Sequence, residues 1–87
     1  MQRNYLFFYL MNKDLEKIRT LAPMHIKYWE ENRPTGFSGG PFSDRSGGLI
    51  LFEAKNLEVA EALAMNDPFV INQVINGRWI KEWMPAH

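Results

Sequence analysis

An α+β fold, with four antiparallel strands and two helices in the order β-α-β-β-α-β, is what this sequence predicts. Three observations lead there. The chain opens on "NYLFFYL", apolar at alternate positions on both faces, the mark of a central strand covered on both sides. Two stretches of helical spacing, "KDLEKIRTLAPMHIKYWEEN" and "NLEVAEALAMN", each follow a strand-like run. The middle of the chain is punctuated by "RPTGFSGGPFSDRSGG", whose glycines and prolines favour turns and a short strand.

Each element has its own warrant. In the first strand Tyr5, Phe7 and Tyr9 share one face, and Leu6, Phe8 and Leu10 the other. In the first helix Leu15, Ile18, Ala22, Ile26 and Trp29 recur at helical spacing and form the expected inner face. Pro23 removes a backbone hydrogen bond there, so a kink or break is expected near Leu21. Gly36 to Phe42 reads as a short strand, "SDRSGG" as a turn, and Leu49 to Ala54 as an apolar strand. Asn56 is the expected N-cap of the second helix, with Leu57, Ala60 and Leu63 or Ala64 facing inward. Asp67 and Pro68 make another cap-plus-proline start. The closing strand lies in "INGRWIKEWMP", with Trp79 and Trp83 on one face and Ile80 and Met84 on the other. The plan is ferredoxin-like, an antiparallel sheet with both helices on one face. Two helices cover one side of a sheet that is apolar on both, so a homodimer packed sheet to sheet is expected.

Length and composition bound the function. The 87 residues are read as one domain, 1–87, with enough apolar and aromatic content for a packed core. Ten basic and ten acidic residues balance, leaving no overall field to draw in nucleic acid or an anionic membrane. The absence of cysteine excludes disulfides, thiolate metal sites and cysteine nucleophiles. The apolar run Tyr5 to Met11 is too short to span a bilayer. Charged "NKDLEKIR" follows where a signal peptide needs small residues, so a cytoplasmic protein is expected.

Three binding classes fit poorly. An RNA-recognition module has this element order, but aligning Gly48 with its motif glycine puts Gly47 at the basic position. Leu49 and Leu51 then stand where its stacking rings belong. Two histidines, His25 and the chain-end His87, make no dedicated metal site. The glycine-rich stretch is followed by a strand and lacks Gly-Lys-Ser/Thr, so it is no phosphate cradle. No metal or cofactor is expected.

His25 carries the chemistry that remains. It stands at the border of the expected apolar face, between Ala22 and Trp29. It is either a packed side chain satisfied by a backbone carbonyl or the acid-base group of a cleft, since a carboxylate can orient an imidazole for proton transfer. Asp67 and Asp44 are the two carboxylates considered. Asp67 is also read as a helix cap, which leaves one oxygen over, and Asp44 as a turn residue.

The segments "APMHIKYWEENRPTG", "SGGPFSDRSGGLILFEAKNLEVAEALAMNDPFV" and "IKEWMP" together resemble the YCII-related family, part of the dimeric α+β-barrel superfamily. The resemblance covers nearly the whole chain and is carried by His25, by Gly40 with Pro41, and by Asp67, Pro68 and Phe69. "PTGFSGGP" stands where the family carries a more hydrophobic run. The resemblance implies a homodimer and a His-Asp pair that maps onto His25 and Asp67. It also implies chemistry like that of relatives that eliminate chloride from hydroxylated aromatic rings or isomerise lactones. The expectation is a small-molecule enzyme of lyase, isomerase or hydrolase type, with Tyr28, Ser38, Arg19, Arg45 and Asp44 as ligand-binding candidates. The alternative is a non-catalytic dimeric ligand-binding or accessory module.

Overall fold

Strand β1, Arg3–Met11, is the axis of the molecule. In the computed structural model, which describes residues 2–86, it is paired on both sides within one four-stranded antiparallel sheet. His87 lies outside the described residues. The remaining elements are α1 (Leu15–Asn32), β2 (Ser38–Pro41), β3 (Gly47–Ala54), α2 (Leu57–Met65), α3 (Pro68–Ile71) and β4 (Ile75–Glu82), with sheet order β2-β3-β1-β4. This is the ferredoxin-like arrangement, with one short extra helix before the last strand.

Register follows from which face each residue must bury. Tyr5, Phe7 and Tyr9 stand opposite Phe52, Ile50 and Gly48 of β3, and the five side chains among them point to the helix-covered side. A shift in register between Leu10 and Met11 bends the far end of β1 against β4. The core is aromatic. Trp29 of α1 is 2% exposed, stacks on Phe37 at 5.9 Å, and meets Phe52 and Phe7 at tilted angles. Ala60 and Ala64, both fully buried, are small enough to let α2 sit close on the sheet.

The helices cap as their sequences demand. Asn56 accepts from the Val59 amide and Asp14 from the Lys17 amide. Three expectations change. Helix α1 runs unbroken through Pro23, so that proline does not end it. Its inner face is also turned. Leu21 and Trp29 are buried and Ile18 and Ala22 partly so, whereas Leu15 and Ile26 are 68% and 55% exposed. At about 100° per residue this is a rotation of roughly 60° from the expected face. It moves His25 from the border of the buried stripe to its middle. Likewise Leu57 is half exposed while Ala60 and Ala64 carry the inner face of α2.

The other sheet face has no helix over it. Phe8 stands there between Phe42 and Trp79, each 5.3 Å away ring to ring, and Leu6, Leu10, Leu49 and Leu51 flank it, partly buried. Trp83 follows β4, its amide bonded to the Asn4 carbonyl. Among the described residues, no helix is long and apolar enough to cross a membrane.

Candidate active site

The chain enters α3 through Asp67, in extended backbone, with Pro68 in the first turn of the helix. Proline suits that position because its missing N–H has no helical partner to lose. Asp67 caps the turn, its Oδ1 accepting from the Phe69 amide at 2.8 Å. A cap on an exposed helix would face water. This one is fully buried, so its remaining acceptor capacity must be met by protein groups.

Helix α1 supplies them. Trp29 Nε1 donates to Asp67 Oδ2 at 2.8 Å, and His25 Nδ1 lies 2.7 Å from Oδ2 and 2.9 Å from Oδ1. His25 and Trp29 are four residues apart and so share one helix face. Every partner of Asp67 is a donor, which suits an acceptor-only carboxylate. With Nδ1 committed to Asp67, the neutral imidazole carries its proton there and leaves Nε2 as a free base. The ring is clamped as well. Phe69 stacks on it at 4.2 Å and 15°, and Tyr9 meets it edge-on at 6.0 Å.

His25 opens onto a cleft of about 430 Å³ between α1, β1 and the β2–β3 edge. The walls are mainly apolar and aromatic, with Tyr9, Trp29, Phe37 and Phe69 among them. Glu30 and Arg45 are its charged members. The volume suits a small-molecule ligand. Burial, with the charge of Asp67 adding, pushes the Tyr9 hydroxyl far above its ordinary range, so it stays a neutral donor. Among the described residues, no three histidine, aspartate or glutamate side chains cluster as metal ligands would.

Of the catalytic and ligand-binding candidates read from the sequence, three reach this place: His25, Asp67 behind it, and Arg45 at the cleft. The carboxylate on His25 is that of Asp67. Asp44 sits in the β2–β3 turn, where its Oδ1 accepts from the Ser46 amide and hydroxyl. Those bonds, the hydroxyl's foremost, hold its carboxyl below the usual range. Tyr28 donates to the Leu63 carbonyl, tying α1 to α2. Ser38 pairs with Leu51, so the pleat turns it away from the cleft that Phe37 and Gly39 line. Arg19 is exposed on α1 and is not part of the lining. Two contributors were not singled out in the sequence. Apolar spacing marks Trp29 only as a helix-face residue and alternation marks Tyr9 only as a strand residue, although each carries a polar handle.

Fold and site together define a class: a ferredoxin-like domain holding a carboxylate-oriented histidine in the wall of an aromatic cleft. The family model for the YCII-related domain matches residues 4–84, and the chain belongs to that family. Among solved structures it is similar to 5-chloro-2-hydroxyhydroquinone dehydrochlorinase from Burkholderia phenoliruptrix AC1100, in complex with 2,5-dihydroxybenzoquinone. The TM-score is 0.83 at 18% identity over 95% of each chain, a likeness of fold. No curated protein matches the chain.

Proposed function

We propose that the cleft is the active site of a small-molecule enzyme in which His25 Nε2 takes and returns a proton. One observation carries this reading: an imidazole in the wall of an apolar cleft has its other nitrogen fixed by a buried carboxylate at 2.7 Å. Asp67 holds the ring in one tautomer and stabilises the imidazolium that forms when Nε2 accepts a proton. Such a positioned base contributes about 10²- to 10⁴-fold in rate. The apolar walls strengthen the Asp67–imidazolium attraction by excluding water.

The lining favours a flat, oxygen-bearing ligand, a hydroxylated aromatic ring or a lactone-like ring. The structural relative's complex with a dihydroxybenzoquinone supports the first. Proton removal beside a carbonyl or phenol then leads to elimination or isomerisation, with hydrolysis a third use of the same base. Arg45 is the cation available to an anionic ligand at the cleft.

The same reading takes the chain as a homodimer. Phe42, Phe8 and Trp79 form an aromatic strip across the sheet face that no helix covers, and Trp79 is 46% exposed. A second copy packed sheet to sheet would bury it.

The test uses 2,5-dihydroxybenzoquinone binding and chloride release from 5-chloro-2-hydroxyhydroquinone. Wild type should do both, and His25→Ala should bind but release no chloride. Binding without turnover in wild type would make the protein a ligand-binding module. Equal turnover in His25→Ala would remove His25 from the chemistry.

A further inference from the structure

Tyr9 is the buried polar residue of the cleft that the His25–Asp67 pair does not use. Its ring is buried, with 4% of the residue exposed, and its hydroxyl, bonded to none of the described residues, opens onto the cleft it lines. A hydroxyl open to the cleft is met there by solvent or by a ligand oxygen, whereas phenylalanine, as at Phe7 on the same strand face, would give such a ligand no donor. The fold also makes room for the hydroxyl. Tyr9 lies opposite Gly48, where a Cβ would stand 2.4 Å from the hydroxyl oxygen and 2.9 Å from the Gly40 carbonyl oxygen. A glycine at that register leaves the phenol space to reach along the cleft floor. Phe7 at 5.2 Å and Phe69 at 6.2 Å hold the ring, and the edge of His25 fixes its other side.

We infer that Tyr9 is a substrate-binding residue that donates its hydroxyl proton to an oxygen of the ring that His25 addresses. The inference rests on the proposed reading of the cleft as a site for an oxygenated ring. The two groups have complementary roles. Neutral His25 offers a lone pair at Nε2, and Tyr9, kept protonated by burial and by the nearby Asp67 charge, offers a proton. The ligand that satisfies both presents a removable proton and, within the same ring system, a hydroxyl, carbonyl or developing oxyanion. A hydrocarbon ring of the same shape satisfies neither. Tyr9 thereby selects oxygenated rings over bare ones, because a polar group built for a partner disfavours a ligand that cannot supply it.

The experiment compares hydroquinone with p-xylene, rings of similar shape with and without oxygen, by protein-observed NMR titration of wild type and Tyr9→Phe. The expected result is hydroquinone binding weakened about five- to tenfold in Tyr9→Phe, with p-xylene binding unchanged or tightened. In wild type carrying ¹³C-labelled tyrosine, the Tyr9 Cζ resonance should shift with hydroquinone and not with p-xylene. That readout does not depend on the variant folding. Equal hydroquinone affinity in both proteins, or an equal loss for both probes, overturns the role of Tyr9 and leaves the cleft reading standing. Failure of wild type to bind either probe overturns the cleft reading and this inference with it.

Discussion

Replacing Asp67 by Asn exchanges one carboxylate oxygen for an NH₂ group and strands one buried donor. Asp67 accepts from the Phe69 amide through Oδ1, from Trp29 Nε1 through Oδ2, and from His25 Nδ1 between them. An asparagine amide has one acceptor oxygen and an NH₂ that only donates. Turned one way, its NH₂ faces the indole N–H of Trp29; turned the other, it faces the Phe69 amide. A buried donor left facing a donor costs about 1–3 kcal/mol, and loss of the charge-assisted bonds adds roughly another 1 kcal/mol. The expected cost is about 2–4 kcal/mol, a fall in Tm of roughly 10–25 °C for a domain of this size. Trp29→Phe removes the donor that asparagine fails to satisfy. In the Asp67→Asn background it should therefore cost about 1–2 kcal/mol less than in wild type. Urea unfolding of all four proteins at one protomer concentration measures this coupling. Additivity within about 0.5 kcal/mol would refute the argument.

Three further outcomes follow from the same geometry. The ¹⁵N spectrum of neutral His25 should show the proton on Nδ1 in wild type, and this preference should be lost in Asp67→Leu; an Nε2–H tautomer in wild type would contradict the pairing. Tyr9 should give the protein an alkaline liability. Its hydroxyl holds its proton in the folded state above the ordinary value of 10.0, so its contribution is full below about pH 10 and falls as pH rises, by up to about 1.4 kcal/mol per pH unit. Tyr9→Phe should flatten that part of the stability-versus-pH curve, and an unchanged slope would exclude Tyr9 as its source. Trp79→Glu on the uncovered sheet face should convert a dimer to a monomer by light scattering, with the cleft's ligand affinity as a check on folding.

The sheet was legible because its signals are local. Alternation in β1, the Asn56 cap and the Asp67 and Pro68 start each depend on a few adjacent residues, and each stands where expected. The phase of α1 was not legible. Leu15 and Ile26 extend the apolar periodicity, but nothing in the helix alone shows that Trp29 must reach both the aromatic core and a carboxylate on α3. That double demand rotates the helix and brings His25 inward. The same reasoning explains why Asp67 was visible as a cap and as a partner of His25 while the donor on Trp29 was missed: apolar spacing counts an indole as carbon. Pro23 shows the limit of a breaker rule, since neighbouring packing carries the helix past the lost hydrogen bond.

The single carboxylate of Asp67 closes a contact between residues 42 positions apart in the chain. Short-range order alone, a formed α1 or a formed β-hairpin, leaves His25 free to rotate and to carry its proton on either nitrogen. The tautomer becomes fixed only when the second half of the chain has docked, because α3 brings the acceptor. A contact of such long loop closure forms late relative to local structure. The tautomer of the imidazole is thus a readout of completed folding, and a partly folded chain exposing the same histidine would not hold its proton on one nitrogen.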